Sequence, residues 1–537
     1  MHLQSTGGSS SIRATGVYGS RIAGAAAREM LLQAAAQEWR TPIAELTTHN
    51  SMVLHAASGR EETFAHFAAT AAEFTPSSSP SLKSVDEFKI MGKSKPRLDI
   101  PSKVDGTAMF GIDASVEGMK YAAITAAPVF GGMLDRVDST EAEAMPGVIQ
   151  VVRLEDAVGV IADSYWQAKQ ALAKLSIVWG KTDQDLQSST GIFTQFDKDM
   201  LADRENGNSS TDVKIGDVST VFAAAERKIE RTYRVPYLAH TCMEPMNALA
   251  RVTDAGCEVW TGTQNPLGTR YEIATALEMD VENVTVANHM MGGGFGRRSK
   301  SDTAIQAAKL SRASGLPVKL IWSREEDVQH DHYRQAVAST FTASLGADGK
   351  PTAWENQFVD KHEPIEAPHI PYAVANQYVH YTDSPTHVPF GPWRSVDHSQ
   401  HGFFTESFID ELAFEAGTDP YEYRRNLLTH KPRHLKVLDE VAAKADWSTP
   451  LGKNRGRGIS LQESFGSIVG EVVEVSVENG EVSVDRVIVV VDAGFAVSPD
   501  GLTAQMESGV VYGLTAALYG EISIEQGRVV QTNFDSY

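Results

Sequence analysis

Two cysteines, Cys242 and Cys257, are all that the 537 residues contain. That excludes a disulfide framework and leaves at most one bridge. It also excludes an iron–sulfur cluster on this chain, since a cluster takes about four thiolates. No apolar run approaches the roughly eighteen residues that a membrane helix needs, and the first residues lack the charged and apolar segments of an export signal. Positive charge is scarce too: 48 Lys and Arg against 69 Asp and Glu give a net charge of −21. Such a balance favours solubility and disfavours nucleic acid or an anionic membrane as partner. Apolar residues are ample, at 42% hydrophobic and 8% aromatic, enough for several globular domains with cores of their own.

The densest motif is Met290-Met-Gly-Gly-Gly-Phe-Gly-Arg-Arg298. Val284–Asn288 before it alternates as a strand does, and Asp302–Ala313 after it has the apolar spacing of a helix. The expected order is therefore strand, glycine turn, helix. Four glycines around Phe295 let the backbone approach a flat or phosphorylated ligand. The helix start offers N–H groups to an anion, and Arg297 and Arg298 add fixed positive charge. A tight turn without a ligand is the blander alternative. The spacing is not a P-loop, because no Gly-Lys-Ser/Thr follows. Nor is it the dinucleotide fingerprint, because Arg297 stands where the third glycine is needed. The acidity of the chain argues against a phosphate-tracking nucleic-acid surface. An anionic cofactor is the expected ligand.

Met291–Arg298, with Thr261-Gly-Thr-Gln264-Asn-Pro266 upstream, resembles the molybdenum-binding large subunit of the xanthine dehydrogenase/aldehyde oxidase family. The match is strongest to the branch of isoquinoline 1-oxidoreductase beta subunits and related bacterial aldehyde dehydrogenases, and separated motifs follow the family order along essentially the whole chain. The resemblance implies an α+β, mixed α/β multidomain fold, with an α/β hammerhead domain and molybdopterin-binding domains. Residues 1–75 are expected to be the remnant of an N-terminal molybdopterin-binding region, 76–96 a linker rich in serine, and 97–180 the hammerhead domain. Residues 212–440 are expected to form the first part of the molybdopterin-binding domain and 456–537 an incomplete second part.

Within that frame, helices are expected over Ile22–Glu38, Glu61–Glu73 and Ser164–Ala173, and strands over Ile100–Gly106, Met119–Thr125 and Gly147–Arg153. Asp203–Thr211 reads as a polar lead into the cofactor-bearing half. Asp419 and Pro420 mark a helix start, and Asn479-Gly480 a two-residue hairpin turn. His240, Cys242 and Glu244 would share one strand face at spacing two, as a zinc site would, but a well-packed strand is the preferred reading. His330 and His332 are expected to orient backbone or to lie on a wet strand.

The site residues follow from the resemblance. Gly7, Gly8 and Ser9 match a Thr-Gly-Gly-Ser stretch that touches the pterin in the family. Gln264 matches the glutamine that hydrogen-bonds an oxygen ligand of molybdenum, a task that suits an amide because it donates without adding charge. Gly293, Gly294, Phe295, Gly296 and Arg297 follow, with the Phe295 and Gly296 N–H groups near the oxo ligand and phosphate. Arg394, in a Trp-Arg-Ser form typical of the isoquinoline-type branch, matches the family arginine that lies by the pterin. Ser464, Phe465 and Gly466 match a further cofactor loop, and Gln505 the second molybdenum-proximal glutamine.

The implied reaction is hydroxylation of an aldehyde or an N-heterocycle by a molybdenum–pterin centre, in its cytosine dinucleotide form. The metal is held by the cofactor's dithiolene, so no side chain ligates it. Electrons leave through a small [2Fe–2S] subunit, with a cytochrome as one candidate acceptor. The family's general base is a glutamate in a Gly-x-Gly-Glu-Pro segment, expected beyond Tyr537, while Glu521 is present in the family in addition to it. The resemblance implies a chain cut at both ends, periplasmic if a twin-arginine signal precedes Met1 and cytoplasmic otherwise. The alternative is a short, catalytically inactive cofactor-binding or assembly fragment.

Overall fold

Gly256–Thr261, which alternates buried and half-buried positions, joins Asn247–Thr253 and Val284–Asn288 as three strands of a seven-stranded sheet in the computed structural model, which describes residues 4–362 and 366–537. The sheet runs in the order 284–288, 256–261, 247–253, 318–321, 120–126, 157–162, 148–153. Gly256–Thr261 and Val284–Asn288 pair in parallel, with Thr261 opposite Asn288. Parallel neighbours end at the same edge. The loop that carries Gln264 and the turn that carries Gly292–Gly296 therefore leave the sheet side by side, the usual location of a ligand site in sheets of this kind. The helices Pro266–Ala276 and Asp302–Ser314 supply Ile273, Ala304, Ala307, Ala308 and Leu310 to the apolar core against this sheet.

A second sheet of five strands runs in the order 228–235, 337–345, 351–359, 376–382, 210–215. The helix His398–Glu415 lays Phe404, Phe408 and Leu412 against Phe341 and Trp354 in its core. A third sheet, Arg455–Ser464, Ser467–Glu478 and Glu481–Asp492, packs on the helix Pro432–Lys444. These elements form one compact unit, a mixed α/β body. Ser5–Pro96 with Ala496–Asp500 form another. There the helix Arg21–Trp39 buries Ala34 and Ala35 against Val53 and Phe67, and three short antiparallel strands span Leu46–Thr63.

Several expectations need correction. Ile100–Val104 is a short helix and not a strand: Pro101 sits in its first turn, and Lys103 reaches back to Asp99 at 2.7 Å, an i,i+4 pair that a strand cannot make. The helix expected over Glu61–Glu73 starts only at Phe64, because Arg60–Thr63 pairs with Met52–His55 and the Thr63 hydroxyl then caps His66 N. Asp203–Thr211 is no polar lead either. Its first half completes the helix Ser189–Asn206, which Gly207 ends in the left-handed conformation, and Ser210–Ile215 is a strand. The segment His240–Glu244 is irregular backbone, with Thr241 at φ +43°, so its side chains share no strand face. Both cysteines are free and buried. Asn479 and Gly480 take φ +54° and +87°, the geometry that their hairpin turn requires.

Candidate functional site

The glycine turn is fastened from below by one carboxylate. Glu244 Oε2 accepts from Gly292 N at 2.7 Å and Arg298 Nη2 at 3.0 Å, and Oε1 accepts from Ile112 N at 2.9 Å and Asn247 Nδ2 at 3.0 Å. Arg298 is fully buried, and also donates to the carbonyls of Gly293 and Glu244. Arg297, equally buried, is bidentate to Asp302 at 3.1 and 2.7 Å, with its Nε 2.9 Å from Asp331. Neither guanidinium is directed at a ligand, which corrects the expectation that both lend positive charge to a bound anion. A short 3-10 turn over Arg297–Ser299 also separates the glycines from the Asp302 helix.

Backbone crowding explains the glycines. A Cβ on Gly292 would lie 2.5 Å from Glu244 Cβ, one on Gly294 2.8 Å from Gln264 Oε1, and one on Gly296 1.4 Å from the Pro392 carbonyl oxygen. Gln264 Oε1 accepts from Gly296 N at 3.0 Å, so this amide holds the turn. Phe295 is forced to φ +54° between the two close approaches.

Beneath the turn, Asp331 accepts from the His240 main-chain and Nδ1 nitrogens and from His332 N. Burial works to raise its carboxyl, but His240 and Arg297 outweigh it and hold it below the ordinary carboxylate range. Asp327 has the opposite outcome. Burial and the neighbouring Asp331 push it up to about 6 against the pull of Arg297, Arg324 and Arg298. Cys242, whose thiol donates to Gly294 O, is pushed up to about 12 by burial, so it is an inert thiol.

On the outer side a different set converges. Arg394 is half-buried and donates to Ser508 Oγ at 2.8 Å and to Gln505 O at 2.9 Å and Oε1 at 3.3 Å. Its guanidinium lies 5.7 Å from the Tyr512 ring. Tyr512 is sandwiched between Phe295, stacked at 4.8 Å, and Trp393 at 4.6 Å. The groups here are a guanidinium, amides, a hydroxyl, aromatic faces and backbone N–H groups. Among the described residues no three His, Cys, Asp or Glu side chains are grouped to hold a metal ion. A donor set of this kind suits a flat anionic organic group and not a bare cation. The residues therefore fit a pterin-type cofactor that carries its own metal ligands.

The relatives bear on the same point. Two molybdopterin cofactor-binding domain models match, over residues 201–428 and 428–537. The isoquinoline 1-oxidoreductase beta subunit of Brevundimonas diminuta is 30% identical over 96% of this chain and 74% of its own length. The chain belongs to the molybdenum-binding large subunits of the xanthine dehydrogenase/aldehyde oxidase family. A nicotinate dehydrogenase subunit of Pseudomonas putida is 29% identical over 96% of this chain and 47% of its own length. In fold, the chain is similar to quinoline 2-oxidoreductase from Pseudomonas putida 86, with a TM-score of 0.70 at 14% identity over 84% of this chain and 89% of that one. It is similar also to CO dehydrogenase from Oligotropha carboxidovorans, with a TM-score of 0.71 at 12% identity over 83% and 88%.

For this member of the family, the structure brings Gln264, Gly293–Gly296, Arg394 and Gln505 into one neighbourhood, linked through Phe295, Tyr512 and the Pro392 carbonyl. Ser464 ends a strand, paired with Ser467, and Phe465 and Gly466 form the two-residue hairpin turn between them at φ +51° and +80°, with the Phe465 ring 5.3 Å from His398. Gly7, Gly8 and Ser9 belong to the other unit, on an exposed turn at Gly8 and Ser9 that leads into the first helix. His330 contacts the Ala127 carbonyl, and His332 lies 3.5 Å from Asp302. Sequence reasoning missed Tyr512 and the His240–Asp331 pair. Ser508 and Tyr512 stand three and seven residues after Gln505, the spacing of one helix face within Pro499–Leu518, and that signal was available.

Proposed function

We propose that this chain is the cofactor-bearing subunit of a molybdenum hydroxylase that oxidises an aldehyde or an N-heterocycle with water-derived oxygen. The observation that carries the reading is the convergence of Arg394, Gln264 and Gln505 around a turn whose own arginines are already neutralised from within. Positive charge facing the ligand then comes from Arg394. Gly293, Gly294, Phe295, Gly296 and Arg297 set the backbone of the cradle, with Arg297 acting through the fold, and Ser464–Gly466 serve as a further pterin contact.

When bound, a molybdenum–pterin cofactor supplies oxygen transfer to an electrophilic carbon and takes up the two electrons released. This chain orients it through a planar guanidinium and two amides, and the stacked Phe295, Tyr512 and Trp393 exclude water from one side of the turn. We assign the cofactor the cytosine dinucleotide form and the electrons a small [2Fe–2S] partner subunit, in keeping with a chain that has two buried, inert cysteines. The test is to co-express the chain with a [2Fe–2S] subunit, then to measure molybdenum by elemental analysis and the nucleotide released on denaturation. Molybdenum and CMP near one per chain are expected. A folded chain with neither sinks the proposal in favour of a binding or assembly role.

A further inference from the structure

His240 turns both ring nitrogens towards acceptors. Nδ1 lies 3.0 Å from each oxygen of Asp331, and Nε2 lies 3.1 Å from the Pro392 carbonyl oxygen. A carbonyl has no proton to give, and Asp331 already accepts from the His240 and His332 main-chain N–H groups and faces Arg297 Nε at 2.9 Å, contacts that suit a carboxylate. A neutral imidazole has one donor and one acceptor nitrogen, so either tautomer sets a lone pair against a lone pair. Only a ring protonated at both nitrogens satisfies both contacts, and the side chain is fully buried, so water cannot relieve a mismatch.

The groups that face this region are crowded carboxylates and buried cations. Asp302, Asp327, Asp331 and Glu244 surround Arg297, Arg298 and Arg324. Lys319 interacts with Glu244 and Asp113, the His332 ring lies 3.5 Å from Asp302 on the half-buried rim, and the buried Arg334 guanidinium lies 5.8 Å from the Trp393 ring. Tyr333, Tyr512, Tyr537 and Cys242 are pushed up by burial, which leaves them neutral. The second ring proton is required by the two contacts of the ring itself.

The acceptor at Nε2 is the same Pro392 carbonyl that closes on Gly296, and Trp393 Nε1 next to it donates to Ala239 O at 3.3 Å. The Pro392–Arg394 segment is thus clamped between the His240 ring and the glycine turn. We propose that His240 is a constitutive imidazolium that docks the Pro392–Arg394 loop onto the glycine turn and so acts as the positioning residue for Arg394. Its role is a property of the folded chain and stands apart from which cofactor or substrate is bound.

The experiment is nitrogen NMR on the full chain labelled in histidine, with His240 assigned by difference against His240→Gln. At about pH 8, where an ordinary imidazole is neutral, both His240 ring nitrogens are expected to be protonated. One unprotonated ring nitrogen overturns the proposal. Docking is read separately from acrylamide quenching of Trp393, isolated by difference against Trp393→Phe. His240→Leu should raise its accessibility severalfold, and His240→Gln, which keeps one donor for the carbonyl, should restore part of the protection. Unchanged accessibility in His240→Leu overturns the docking role. If His240→Leu fails to fold, His240→Gln against the unmodified chain reads docking in its place, and equal Trp393 accessibility in the two overturns it.

Discussion

Arg298 and Arg394 border the same glycine turn and differ in everything that surrounds them. Arg298 is sealed among one carboxylate and three carbonyls, with no face left for a ligand. Arg394 is half-buried, and meets only a hydroxyl, a carbonyl and an amide, none of which cancels its charge. Burial lowers the Arg394 guanidinium, yet an arginine stays cationic. In this turn the motif's own arginines build the backbone, while the guanidinium proposed to face the ligand comes from a loop almost a hundred residues later.

The sharpest way to break that contrast is Arg298→Ala. It leaves Glu244 buried without its cation, and losing one partner of a buried pair costs about 3–5 kcal/mol. Chemical denaturation should register that loss, and a change under about 1 kcal/mol would refute the structural role. The charged layer also has a pH signature. Asp327, raised to about 6, binds its proton in the folded chain over a window where the unfolded chain has released it. Its contribution is therefore complete at low pH, and is lost as pH rises through about 6. Denaturation of Asp327→Asn and the parent between about pH 4 and pH 7 should show the variant gaining up to roughly 3 kcal/mol relative to the parent as pH rises. A flat difference removes Asp327 from the account.

Gly296→Ala drives a Cβ into the Pro392 carbonyl and strains a residue at φ +113°, so at least about 2 kcal/mol of stability should go, together with the docked loop. Arg394→Ala should be the mirror image of Arg298→Ala. Stability should move by less than about 1 kcal/mol, while molybdenum retained after dialysis drops at least about tenfold. Equal cofactor content in the variant and the parent would end the case for Arg394. The smallest effect belongs to Tyr512→Phe. Its hydroxyl is buried and has no hydrogen-bond partner among the described residues, so removal should be neutral or slightly stabilising while both ring contacts persist.

The strand–turn–helix order around Met290 was legible because two periodicities flank a glycine cluster, and the Asn479-Gly480 hairpin because two residues determine the turn type. The direction of Arg297 and Arg298 was not. Spacing reports which charges are present, and the partner of each is set by Glu244, Asp302 and Asp331, which reach the turn from different parts of the chain. The adjacency of Gln264 to the turn likewise needs the parallel register of Thr261 with Asn288, a fact of pairing and not of composition. Ile100–Val104 misled because its apolar residues fit a strand, while the i,i+4 contact of Lys103 with Asp99 decides for a helix.

The four donors gathered by Glu244 also bear on the order of folding. Two of them, on Gly292 and Arg298, come from 48 and 54 residues downstream, and one, on Ile112, from 132 residues upstream. Closing loops of that length costs entropy before any contact repays it. The glycine turn is complete only when the segments that carry those three donors have met. A cofactor that needs that turn therefore needs three distant parts of the chain already assembled around Glu244.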